Sequence, residues 1–129
     1  MGLADQLREA RRVDVRAAQL DADALAAHAA GEPVSVDIDR SIMDGQLLPT
    51  PGERPWQVIS ELVDEVVLVS DDEVRDAMRV LFERLKLVAE PSGASALAAV
   101  LAGRVHGKRM GVVLSGANVD AERFAELLG

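Results

Sequence analysis

A β-branched run that leads directly into a helix start, at residues 66–73, most constrains how this chain can fold. Val66–Val69 is too short and too β-branched for a helix, so it predicts a buried strand. Ser70 followed three residues later by Glu73 is a capping-box pattern, and the acids here suit the positive end of a helix. One helical face then carries a spaced apolar set that predicts a helix over 71–87, namely Val74, Met78, Leu81, Leu85 and Val88.

A second junction of the same kind lies near the end of the chain. Residues 110–114 predict a strand, Ser115–Asn118 is a polar corner, and residues 120–128 predict a final helix. Between the two junctions, the segment from Ser92 to Ala102 predicts a helix that stops at Gly103. Strands that alternate with helices predict an α/β fold, with a few short parallel strands and flanking helices. Ligands of such sheets gather at the carboxyl ends of the strands, where two polar corners would lie, Ser70-Asp71 and Ser115–Asn118.

The first half of the chain carries weaker patterns. The 129 residues suit one domain. Residues 1–18 favour a helix because they are rich in Ala, Arg and Leu. Residues 21–30 predict a helix stopped by Gly31, and Val34–Ile38 predicts a short strand. Residues 44–55 predict a loop or linker. The next helix would have Pro55 at its first position and an apolar stripe formed by Val58, Ile59, Leu62 and Val63.

Composition excludes several classes of function. The chain has 14 Lys and Arg against 22 Asp and Glu, a net charge of −8, which argues against nucleic-acid binding. It has no cysteine, so disulfides and thiolate chemistry are excluded. No apolar run approaches the ~18 residues of a membrane span. The N-terminus mixes acids and bases without the apolar core of a secretory signal, so a cytoplasmic location is predicted.

Two short segments are candidates for ligand binding. Ser115 would place a hydroxyl at a strand end, Gly116 would permit a close approach or a positive φ, and Asn118 would cap the last helix or orient the loop. Alternatively, this corner is an ordinary strand-to-helix turn. In the segment 90–95, the helix start could hold an anion and Glu90 could polarise a cofactor, or the segment is simply a helix with a serine N-cap.

The remaining titratable residues indicate no site. Asp21 and Asp23 suit a helix cap better than a cation site, and the two histidines lack ligand spacing. Lys86 and Lys108 are the only lysines, and neither has the apolar surroundings of a Schiff-base lysine. No metal site is predicted, and no catalytic residue is assigned.

Several stretches together resemble a known family in order and spacing. They are SIMDG at 41–45, ERPWQVISELVDEVVLVSDDEV at 53–74, VLFERLKLVAEPSGASALAAVLAG at 80–103 and GKRMGVVLSGANVD at 107–120. They resemble the C-terminal part of pyridoxal-phosphate-dependent threonine dehydratases (threonine ammonia-lyases), relatives of serine racemase. The resemblance implies part of the large domain of a fold-type II enzyme of amino-acid metabolism. It assigns 21–129 to this segment and leaves 1–20 as a helical extension that does not match.

The resemblance also implies roles for individual residues. Ser115 maps onto the serine that hydrogen-bonds the pyridine nitrogen of pyridoxal phosphate, and Asn118 shapes the same loop. Glu90 maps onto the family's Glu-Pro motif, while Asp44 and Gly45 map onto its Asp-Gly pair. These residues, with Gly116, would line the cofactor pocket. A neutral serine leaves the ring nitrogen largely unprotonated, which suits α,β-elimination of water from threonine or serine, giving a 2-oxo acid and ammonia.

Departures from the family pattern set further expectations. Ala117 replaces a glycine and would be strained at a positive φ, and Met43 replaces the usual alanine and would crowd the pocket. The family's Schiff-base lysine and glycine-rich phosphate loop have no counterpart here. The chain is therefore expected to be inactive alone, as a remnant or fragment, as a partner of a separate N-terminal chain, or as a homo-oligomer. The alternative is a small acidic α/β interaction or structural module that has lost the cofactor.

Overall fold

The computed structural model of the chain describes residues 26, 27, 29–37 and 40–129, and the backbone of 16–19. Its helices and strands, in chain order, are β1 (Arg16–Gln19), α1 (Glu53–Leu62), β2 (Glu65–Leu68), α2 (Asp71–Val80), α3 (Pro91–Leu101) and α4 (Ala121–Leu128). A 3-10 turn at Asp44–Gln46 precedes α1, and a π-helical turn at Leu81–Leu85 continues α2.

The strand predicted at 66–69 is confirmed as β2, displaced by one residue. It pairs in parallel with β1, with Arg16 opposite Glu65 and Gln19 opposite Leu68. The predicted helix over 1–18 is therefore wrong at residues 16–18, because ladder hydrogen bonds to β2 outweigh the weak helical preference of this sequence. Residues 1–15 lie outside the described residues. Parallel strands with flanking helices confirm the predicted α/β class.

The start of α2 has the capping box that the sequence predicts. The Ser70 amide donates to Glu73 Oε2 at 2.7 Å, and the Glu73 amide donates to Ser70 Oγ at 3.3 Å. Arg104 also donates to Glu73, at 2.9 Å, which ties the end of α3 to the start of α2. These hydrogen bonds favour the carboxylate, so they lower the pKa of Glu73, the Ser70 amide having the largest effect and Arg104 the next.

The end of this helix differs from the prediction. Leu81 is buried, but Leu85 is 58% exposed and Val88 is 48% exposed. The π-helical turn explains the exposure of Leu85, because its wider turn rotates this residue off the apolar face, whereas Val88 lies beyond the end of the helix. Lys86 then takes a left-handed conformation with φ 59°, which ends the helix before residue 87.

The core lies where α2 packs against α3. Alanines on α3 keep the contacting surface small and allow a close approach. Phe82 and Phe124 meet edge to face at 5.4 Å, which joins the π-helical turn to α4. The core cluster consists of Met43, Val69, Val74, Ala77, Met78, Leu81, Ala89, Ala94, Ala98, Ala99 and Leu127. Within the described ranges, no helix is both long and apolar enough to cross a bilayer.

Two predicted strands are wrong where the structure describes them. Residues 34–37 form no strand, and their backbone contact is a hydrogen bond from Val36 N to Pro49 O at 3.0 Å, while Ile38 lies outside the described residues. Residues 110–114 also form no strand, although they carry the expected apolar run. A strand needs a hydrogen-bonded neighbour, and among the described residues neither segment has one.

Two predicted helices are confirmed with adjusted details. Residues 26, 27, 29 and 30 are helical, and Gly31 stops them with φ 77° and a 2.8 Å hydrogen bond to Ala27 O; the rest of 21–30 lies outside the described residues. Helix α1 begins at Glu53, so Pro55 occupies its third position rather than its first. The buried residue of α1 is Trp56, whereas Val58, placed in the predicted stripe, is 57% exposed.

Candidate functional site

The first turn of α3 is the point around which the candidate residues gather. Glu90 is the N-cap residue, with extended backbone, and its carbonyl accepts from Ala94 N at 3.1 Å. Pro91 fits the first helical position because no partner for an N–H is needed there. The helix therefore has no serine N-cap, and that alternative is wrong. Gly93 comes in the same turn and is buried.

The corner at Gly116 packs against this turn. The Glu90 amide donates to the Gly116 carbonyl at 3.1 Å. A Cβ on Gly93 would lie 2.9 Å from Gly116 N, and a Cβ on Gly116 would overlap Glu90 Oε1. Gly116 does not have a positive φ. Glycine is therefore needed at both positions because two backbones and one carboxylate meet closely.

The Asp44–Gly45 turn lies on another side of the same helix start. A Cβ on Gly45 would lie 3.0 Å from Ser92 Oγ, so this turn touches the residue next to Gly93. The Gln46 amide group donates to Ser95 Oγ at 3.1 Å and to Ser92 O at 3.4 Å. Asp44 Oδ1 accepts from the Gly45 amide at 2.8 Å, which shapes the turn locally.

The structure thus brings four predicted residues together around α3, namely Asp44, Gly45, Glu90 and Gly116. Ser115 is exposed and immediately precedes Gly116. Asn118 is also exposed, and it does not cap α4. Asp120 does so, because its Oδ1 accepts from Arg123 N at 2.8 Å.

The two departures from the family pattern cause no local conflict. Ala117 does not have a positive φ, since Lys86 is the one described non-glycine residue that does. Alanine is therefore unstrained at 117. Met43 has no exposed surface and lies in the core cluster with Val69 and Val74, so its longer side chain fills the interior.

Sequence reasoning missed the roles of three residues of this region. Gly93 lies in the Glu-Pro-Ser-Gly stretch at 90–93 and could have been selected there, because glycine is unusual inside a helix. Gln46 gave no local signal. Asp71 lies in a predicted polar corner, but its contact with the loop could not be predicted because its partner is distant in sequence. Asp71 accepts from Ser41 Oγ at 2.7 Å and thereby holds the loop before the Asp44–Gly45 turn.

The donor set fits the ring of a pyridine cofactor better than it fits a metal. Ser115 offers a neutral hydroxyl beside a glycine-lined corner, and Ser92 Oγ and Gln46 Oε1 are buried without a protein partner. No group of three or more His, Cys, Asp or Glu among the described residues could hold a metal ion. Both lysines are exposed, and Lys86 Nζ donates to Glu83 O at 2.8 Å.

Comparison with known proteins identifies the family to which this fold belongs. The model of a family described as pyridoxal-phosphate dependent enzyme matches residues 1–116. The chain belongs to this family. The family match runs across the boundary proposed at residue 20, which stays a prediction.

Among the relatives of this family member, phenylserine dehydratase of Ralstonia pickettii is 44% identical over 102 residues, covering 77% of this chain and 31% of the relative. Serine racemase of Schizosaccharomyces pombe is 37% identical over 100 residues, covering 76% of this chain and 31% of the relative. The crystal structure of a threonine deaminase from T.th. superposes with a TM-score of 0.81 at 33% identity, covering 92% of this chain and 44% of that chain. The resemblance and the partial fold-type II architecture are confirmed, and the chain spans under a third of these curated relatives.

Proposed function

We propose that this chain is the C-terminal part of a pyridoxal-phosphate-dependent ammonia-lyase that eliminates water from a small β-hydroxy amino acid, threonine or serine. Its contribution is the face of the pocket that contacts the cofactor ring. The observation that carries the proposal is the convergence of Gly45, Glu90, Gly93 and Gly116 at the start of α3, beside the exposed Ser115 hydroxyl.

Each residue has a physical task in this proposal. When bound, pyridoxal phosphate withdraws electrons from the α-carbon of the substrate. The Ser115 hydroxyl would donate a hydrogen bond to the ring nitrogen while keeping its proton, so the ring gains no charge; this moderates the electron withdrawal and suits elimination. Glu90 fixes the corner in two ways: its backbone amide donates a hydrogen bond to the Gly116 carbonyl, and its carboxylate packs against Gly116. Asn118 orients the remainder of the loop.

Catalysis requires a lysine that this chain does not offer in a suitable place. Lys86 is exposed and bonds a carbonyl of its own helical turn, and Lys108 is exposed in the polar segment after α3. We therefore expect the Schiff-base lysine and the phosphate loop to lie outside these residues, either in the same polypeptide or in a separate one. A homo-oligomer would not supply them. Alone, the chain is expected to be inactive.

The first experiment is a titration of the purified chain with pyridoxal phosphate, followed by borohydride reduction and peptide mapping. We expect no absorbance band of a lysine-bound cofactor and no preference between Lys86 and Lys108 in the labelling. A stable band with label on one lysine would show that the chain holds its own cofactor and would contradict the expectation that the lysine lies outside these residues.

The ring-contacting face is tested separately with pyridoxine 5′-phosphate, which has the ring and phosphate but no aldehyde. In an NMR titration, the amides of Gly45, Gly93 and Gly116 should shift, and Ser115→Ala should weaken the binding. Ser60→Ala is the matched control, since Ser60 is exposed and its hydroxyl donates within its own helix, to Gln57 O. Shifts scattered over the surface would instead support the interaction module that has lost the cofactor.

The reaction is tested in a chimera in which this chain replaces the matched part of the Ralstonia phenylserine dehydratase. Release of 2-oxo acid from serine, threonine and phenylserine would be measured, with bound cofactor as the control for folding. We expect activity on serine or threonine that Ser115→Ala reduces. A chimera that holds the cofactor but releases no 2-oxo acid would count against the lyase assignment.

A further inference from the structure

The loop that carries Asp44 and Gly45 is held at its beginning by a carboxylate of α2. Asp71 Oδ1 accepts from Ser41 Oγ at 2.7 Å, and both carboxylate oxygens accept from the Ile42 amide at 3.3 Å. The Ser41 hydroxyl oxygen accepts in turn from the Met43 amide at 3.0 Å. One side chain at a helix start therefore orders three successive residues of the loop, directly or through Ser41.

The same loop is held at its end by Gln46. Its Nε2 donates to Ser95 Oγ and to Ser92 O, and Ser95 is buried, with an exposed fraction of 4%. Ser95 Oγ donates to Ser92 O at 2.9 Å, so the two serines and the glutamine amide form one closed set of bonds. This set joins the loop to the first turn of α3.

Between these two attachments, the turn has little freedom to move. Met43 is fully buried, and its carbonyl accepts a hydrogen bond from the backbone N–H of Gln46 at 3.0 Å. A Cβ on Gly45 would lie 3.0 Å from Ser92 Oγ, so the turn packs closely against that side chain. The distance from the Asp44–Gly45 turn to the Gly93–Gly116 contact is therefore set by side chains that do not themselves reach that contact.

We propose that Asp71 and Gln46 are positioning residues for the ring-contacting face, acting through the Asp44–Gly45 turn. This assignment rests on the proposed function, because it gives the fixed turn a ligand to contact. Asp71 anchors the turn to α2 and Gln46 anchors it to α3, so loss of either leaves one end free. A ring bound between this turn and Gly116 would then contact a turn whose position is no longer fixed.

The test uses two variants with matched controls. Gln46→Leu removes the amide at similar volume, and Gln57→Leu makes the same change at an exposed position on α1. Asp71→Ala removes the anchoring carboxylate, and Asp72→Ala removes a neighbouring acid in the same first turn, which controls for the helix dipole. Amide hydrogen exchange at Ile42, Met43 and Gln46 and the dissociation constant for pyridoxine 5′-phosphate are measured in each protein.

We expect exchange at these loop amides to become about tenfold faster in the two test variants, the effect of losing about one hydrogen bond. The dissociation constant for pyridoxine 5′-phosphate should rise several-fold, while the denaturation midpoint of each variant should equal that of its matched control. Unchanged loop exchange, or equal acceleration at every amide, would overturn the assignment. Local exchange changes with an unaltered dissociation constant would overturn it too, whereas a wild-type chain that gives no shift at Gly116 would refute the ring-contacting face itself.

Discussion

Replacing Gly93 by alanine tests the contact on which the candidate site depends. Gly93 is the third residue of α3, and its Cα faces the backbone of Gly116. A Cβ there would lie 2.9 Å from Gly116 N, 3.2 Å from its carbonyl carbon, and closer still to its oxygen. These are backbone atoms, so relief requires the whole corner at 115–118 to move away from α3.

Two opposing effects decide the magnitude of the change. Alanine inside a helix is favoured over glycine by up to about 1 kcal/mol. Forcing an extra methyl group into a packed contact typically costs about 1–3 kcal/mol. We expect the steric cost to exceed the helical gain, so Gly93→Ala should lower the free energy of unfolding by about 1–2 kcal/mol.

Gly111→Ala is the matched control for this experiment. A Cβ at Gly111 would have no neighbour within 4 Å, and its φ is not positive. Alanine there should leave stability unchanged or raise it by about 0.4–1 kcal/mol, because it restricts the unfolded chain. Both variants would be unfolded with urea and followed by far-ultraviolet circular dichroism and by the fluorescence of Trp56, the single tryptophan.

The reasoning would be refuted if Gly93→Ala were as stable as Gly111→Ala. That result would mean that the corner at Gly116 does not lie against α3 in solution. The amide of Glu90 gives an independent check, because its hydrogen bond to Gly116 O should protect it from exchange in the wild type. Gly93→Ala should remove that protection while the interior of α3 remains protected.

Three other changes have defined outcomes. Hydrogen bonds lower the pKa of Glu73 below the ordinary 4.5. The stabilisation that Glu73 contributes is therefore present above pH 4.5 and is lost as the pH falls through the lowered pKa. Urea midpoints measured down to about pH 3 should fall more in the wild type than in Glu73→Gln. Lys86→Gly should raise the free energy of unfolding by about 0.5–1 kcal/mol, because glycine tolerates φ 59°, whereas Lys108→Gly should give no such gain. Met110, Val113 and Leu114 are all exposed and form one apolar stretch, so the chain should self-associate at micromolar concentration. Val113→Lys should reduce this association, whereas a monodisperse wild-type monomer in sedimentation would contradict the expectation.

The elements that could be predicted from sequence are those fixed by nearby residues. The start of α2 was recognisable because Ser70 and Glu73 satisfy each other's backbone groups within one turn. The end of α3 was recognisable because a glycine, Gly103, follows two residues after Leu101, where it adopts φ 68°. β1 could not be recognised, because its extended backbone depends on β2, which comes much later in the chain.

The candidate site shows the same division between local and distant causes. Spacing and resemblance selected Glu90 and Gly116, but they did not reveal that the two touch each other. The glycine at 116 was expected to serve a ligand or an unusual φ, whereas it makes room for the Glu90 carboxylate. Gln46 was not selected, and the contact of Asp71 with the loop was not predicted, because nothing beside these residues in sequence marks their roles. Their partners come together only when α2 and α3 pack.

The wrong strand at 110–114 follows from the same physics. Val113 and Leu114 are neighbours, so in an extended chain their side chains would point to opposite faces, yet both are exposed. A segment that is apolar on both faces is suited to a parallel sheet covered on both sides. Its sequence therefore encodes a strand whose neighbours are not supplied by the described residues. The hydrogen bond from Glu90 N to Gly116 O, just beyond this segment, holds the end of the segment beside the start of α3.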